Sequence, residues 1–119
     1  MSQISQPEAA DLLEKLLSER IRLQAFFVSA FKSELSMFGF VDSITRANGL
    51  VISESGPPID VSRGYLSFQP FDVACEFWYG EKRELPEEIR RTIPDSRGDS
   101  TLLFNRTDTG ERLALFFKL

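Results

Sequence analysis

At 119 residues, with 42% apolar and 27% charged side chains, the chain has the size and mix of one globular domain that buries a core without metals or disulfides. Its formal charge of −4, with 14 basic residues scattered among 18 acidic ones, argues against the basic stripe by which nucleic-acid binders meet phosphate. The absence of histidine removes Ser-His-Asp and Cys-His catalysis and His-ligated metals, and a single cysteine, Cys75, removes an internal disulfide and a zinc cluster.

The first residues carry no basic region and no apolar signal core, and no apolar run approaches the roughly 20 residues of a membrane span, so a cytoplasmic protein is expected. Ser5-Gln6-Pro7-Glu8 matches a capping box, with Pro7 in a first turn that has no intrahelical use for its missing N–H. No Gly or Pro follows until Gly39, which reads as the stop, so the pattern predicts a helix over 5–37. On a 3.6-residue period, Leu12, Leu16, Leu23, Phe27 and Phe31 share one side with Leu13, Leu17, Ile21, Val28 and Leu35. The other side holds Asp11, Glu14, Lys15, Glu19, Arg22 and Lys32, with Phe26 stranded among the charges. The apolar arc covers roughly half the circumference, against a minimum near 100° for a helix on one core. Such a helix can touch its own sheet and a second molecule. Arg20 and Gln24 interrupt the arc, and Arg20 either snorkels to water or pairs with an acid of a second chain. Arg20, Leu23, Gln24, Phe27 and Phe31 are therefore interface candidates.

After Gly39 the period changes to two. Asn48-Gly49 marks a hairpin between 38–45 and 50–53, and Ser55-Gly56-Pro57-Pro58 breaks the chain. A short strand is expected at Tyr65–Phe68. Over 71–79, Phe71, Val73, Cys75, Phe77 and Tyr79 share one face, and Asp72, Ala74, Glu76 and Trp78 the other. Cys75 then points inward as an inert, protonated thiol. Trp78 points outward, either covered or exposed as a contact anchor, and joins the interface candidates. Residues 80–99 form a polar insertion, with a short helix expected from Leu85 to Arg91. A last hairpin pairs 101–106 with 112–119 about 107–111, and its apolar alternation to Leu119 pins the C-terminus in the sheet. The expected architecture is α+β: one domain over 1–119, a long N-terminal amphipathic helix packed on an antiparallel sheet or small half-open barrel of about five strands.

No phosphate-binding glycine loop occurs, and the pairs Glu87/Glu88, Asp72/Glu76 and Asp108/Glu111 read as solvated surface. In Asp95-Ser96-Arg97-Gly98-Asp99, Arg97 separates the two carboxylates, which argues against a calcium loop. Asp60-Val61-Ser62-Arg63-Gly64 resembles the Asp-x-Ser-x-x-Gly loop of PilZ domains, small β-barrels that bind cyclic di-GMP. It is one residue short, and of the family's Arg-x-x-x-Arg partner motif only Arg46 is present; the resemblance implies a barrel whose nucleotide site is lost. Arg46 and Arg63, with Arg83, Arg90 and Arg91 of the insertion, are candidates for holding an anionic metabolite or nucleotide. Three functions are thus expected in descending order. The first is a non-catalytic binding or assembly module, associating with itself as a homodimer or with another protein through the first helix. The second is a regulatory module for a small anionic ligand, and the third an enzyme using carboxylates alone. No metal, cofactor or catalytic residue is predicted.

Overall fold

The computed structural model describes residues 1–54, 64–85, 87, 90 and 100–119. In chain order these form β1 (Ser2–Ile4), α1 (Gln6–Ser18), β2 (Leu23–Val28), β3 (Glu34–Thr45), β4 (Gly49–Glu54), β5 (Tyr65–Phe68), β6 (Cys75–Glu81), a 3-10 turn (Lys82–Glu84), β7 (Ser100–Arg106) and β8 (Arg112–Phe117). The class is α+β, with one N-terminal helix and an antiparallel sheet. The sheet has eight strands rather than about five, in the order β1-β6-β7-β8-β2-β3-β4-β5.

The predicted N-terminus of the helix is correct in atomic detail. The Glu8 N–H donates to Ser5 Oγ at 3.3 Å, and the Glu8 carboxylate accepts from the Ser5 N–H at 3.2 Å. Ser5→Ala should remove this cap and lower the unfolding free energy by about 1 kcal/mol, read from a shifted denaturant midpoint at unchanged slope.

The predicted end of the helix is not correct: α1 stops at Ser18, not at 37. The Arg20 N–H donates to the Leu17 carbonyl at 3.2 Å and the Ile21 N–H to the Leu16 carbonyl at 3.1 Å. This is a Schellman closure, which usually has glycine in its left-handed position. Here that position is Arg20, at φ 47. The guanidinium lies over the Phe40 ring, 5.1 Å from its centroid, a cation–π contact that helps to hold the turn.

Leu23–Val28 then runs as a central strand between β8 and β3. Its inward residues Leu23 and Ala25 join Ala9, Leu13 and Leu16 of α1 in the main core, with Phe27 packed against it. Its outward Phe26 joins Leu85, Ala114 and Phe116 in a second cluster on the opposite face. Apolar groups on both faces suit a strand covered on both sides. They also explain why a helical period fitted this segment, except at Phe26.

The sheet is rolled but not closed. β5 and β7 have four strands between them in the sheet order, yet the Phe68 and Phe104 rings lie 5.7 Å apart. Phe77 also meets Phe104, with centroids 5.7 Å apart, and Phe27 meets Phe68 at 6.2 Å.

Both predicted hairpins form. Gly49, at φ 71, closes the first as the left-handed residue after a three-residue loop. The second pairs Asn105 with Arg112. The expected strand over 71–79 begins only at Cys75, because 71–74 bend and Asp72 turns to φ 57. In the insertion, Leu85 is buried, and Glu87 and Arg90 are helical and exposed. The 55–58 breaker and most of 86–99 lie outside the described residues.

Candidate functional site

The β2–β3 turn has no Gly, Pro, Asn or Asp: it reads Ser29-Ala30-Phe31-Lys32-Ser33. Backbone and hydroxyl bonds close it instead. The Ser29 N–H donates to the Ser33 carbonyl at 2.8 Å, the Lys32 N–H to the Ser29 carbonyl at 2.9 Å, and the Ser33 N–H to Ser29 Oγ at 3.0 Å. Lys32 takes the left-handed conformation, at φ 62. The closed turn lifts Phe31 to its apex, where the side chain is 93% exposed. Leu35, opposite Phe27 in the ladder, is half exposed beside it.

Strand register builds a cavity at the foot of this turn. On the outer face, Val28 is flanked by Glu34 of β3 and Arg112 of β8. In the next outward row, Phe26 is followed by Ala114 and then Leu103. The resulting cavity, about 430 Å³, has Phe26, Val28, Leu103 and Ala114 as an apolar floor, with Lys32, Glu34 and Arg112 among its lining. Among the described residues these three charges have no ion-pair partner.

A second cavity of about 360 Å³ lies between the start of α1 and the β3–β4 hairpin, with both Asp11 and Arg46 on its walls. Two features make it a poor anion site. Arg46 faces Asp72 at 3.6 Å, and the Glu8 carboxylate already caps the start of α1.

Of the residues singled out from sequence as an interface, Phe31 and Arg20 are exposed, and Phe31 is the exposed apolar one. Leu23 and Gln24 are fully buried in β2 and cannot form a helical contact surface. Gln24 Nε2 donates to Ser36 Oγ at 3.3 Å, while its Oε1 is buried without a partner among the described residues. Phe27 lies on the inner face, and Arg20 ends the helix rather than interrupting it. Trp78 is half-buried on β6, between Gln3 and Leu103. Of the arginines proposed for a ligand, Arg83 meets Glu81, Arg46 meets Asp72, and Arg90 is exposed. Arg63 and Arg91 lie outside the described residues.

Of the carboxylates named in pairs, Asp72 meets Arg46 and Asp108 meets Arg106, and Glu88 lies outside the described residues. Asp108 takes two hydrogen bonds from Arg106, at 2.6 and 3.1 Å, which hold its carboxyl below the usual range. Cys75 is half-buried, and desolvation pushes its thiol up to about 11, so it is protonated at neutral pH. No group of three or more Cys, Asp or Glu side chains able to hold a metal occurs among the described residues. No described helix is long and apolar enough to cross a membrane.

Sequence reasoning missed Lys32, Glu34, Leu103, Arg112 and Ala114 as parts of one site. They come together only through pairing of β2 with β8, more than 80 positions along the chain. No known family model matches the chain, no characterised protein matches it in sequence, and no solved structure matches its fold.

Proposed function

We propose that the chain is a non-catalytic assembly module that associates with itself through the tip of the β2–β3 hairpin. The observation that carries this reading is Phe31, 93% exposed at the apex of a hydrogen-bonded turn. An exposed aromatic offers a large apolar area to a partner, and anchors of protein contacts are rich in aromatic side chains. The closed turn also reduces the entropy lost when the ring is immobilised on binding. The hairpin takes the role first expected of the helix, because the apolar residues of α1 are used by its own sheet: Ala9, Leu13 and Leu16 are fully buried. An anionic-ligand role has less support, since Arg46 and Arg83 already meet carboxylates.

Sedimentation velocity over a range of micromolar concentrations tests the reading. The wild-type chain should shift toward a dimer as concentration rises. Burying one phenylalanine contributes about 1.5–3 kcal/mol, so Phe31→Ser, which loses two per dimer, should weaken association about 100-fold or more. Its thermal midpoint, compared at a concentration where both chains are monomeric, should not change. A wild-type chain that stays monomeric throughout would rule the reading out.

A further inference from the structure

We infer that the partner is a second copy related by a twofold axis, with Phe31 of each copy seated in the outer-face cavity of the other. This rests on the self-association proposed above and gives it a geometry.

Three observations carry it. First, the projection and the cavity are neighbours. Ser29, Ala30 and Lys32 of the turn that displays Phe31 also line the cavity. A twofold contact needs one self-complementary patch, in which each copy gives the other what it receives. Second, the cavity suits the ring. Its floor of Phe26, Val28, Leu103 and Ala114 is wholly apolar, and its volume of about 430 Å³ admits a phenyl group with room for the flanking turn. Third, the rim carries both signs. Lys32 and Arg112 are positive and Glu34 negative, and all three are exposed. Glu34 and Arg112 stand on either side of Val28, about 10 Å apart at two strand spacings. A rim of one sign would repel its own copy; a mixed rim lets the cations of one copy face Glu34 of the other.

The test reverses the rim without touching the floor. Glu34→Arg makes the rim all positive, and Lys32→Glu with Arg112→Glu makes it all negative. Because these side chains are exposed, both variants should keep wild-type circular dichroism and, at concentrations where all are monomeric, wild-type thermal midpoints. With one variant fluorescently labelled, sedimentation should show each alone at least tenfold weaker in self-association than wild type. An equimolar mixture should recover a heterodimer at least as tight as the wild-type dimer, and Phe31→Ser in both variants should abolish it. If wild type dimerises but the mixture stays monomeric, or if both variants dimerise like wild type, the reciprocal geometry is overturned while self-association stands. If wild type is itself monomeric, both fall.

Discussion

Phe104→Ala is expected to lower the unfolding free energy by about 3–5 kcal/mol, the usual range for deleting a fully buried aromatic ring. Phe104 is 0% exposed, and its ring touches Phe68 of β5 and Phe77 of β6. The Phe68 contact spans the roll of the sheet, so its loss removes packing between strands that share no hydrogen bonds. Against a typical margin of about 5–15 kcal/mol, the variant should be partly unfolded near physiological temperature. Equilibrium urea unfolding gives the value directly. A loss below about 1 kcal/mol would mean that the sheet is not rolled onto this ring.

Gly39→Ala should cost about 3 kcal/mol, near the upper end of overpacking effects, because the obstruction is backbone rather than a movable side chain. A Cβ built there would stand 1.9 Å from the Ser53 carbonyl oxygen and 2.9 Å from its carbon. Gly39 is the residue at which β3 pairs with both β2 and β4, opposite Leu23 and Glu54. Adding a methyl group must push β4 away or break the ladder. The expected signature is a lower midpoint in chemical unfolding together with faster amide exchange where β4 pairs with β3, at Ser53 opposite Phe40. Unchanged exchange there would contradict the close approach.

Gly39 also illustrates how far the sequence could be read. It has the look of a helix stop, yet it is a strand residue without space for a side chain. The features that read correctly were local and carried their own chemistry: the Ser5–Glu8 cap, the Asn48-Gly49 hairpin and the last hairpin, although its second strand, expected to run to Leu119, ends at Phe117 and leaves Leu119 exposed. The features that misled lacked their customary residues. The helix ends in a Schellman turn with Arg20 where glycine is usual, and β2 returns through a turn with Lys32 in the left-handed position. Without those markers, a strand with apolar groups on both faces passed for a helix with a broad apolar arc. Phe26, misplaced among charges on that helix, was the available sign of the strand period. Phe31 was named from the sequence as a helical contact and is instead the apex of a turn. Its cavity was not legible, since the floor comes from β2, β7 and β8 and exists only once they pair.

Isotope-filtered nuclear Overhauser spectroscopy on a mixture of labelled and unlabelled wild-type chain most directly tests the assembly. The account predicts intermolecular contacts from the Phe31 ring to the methyl groups of Val28, Leu103 and Ala114, at concentrations where sedimentation shows a dimer. A dimer whose intermolecular contacts arise elsewhere, or a spectrum without any, would contradict it.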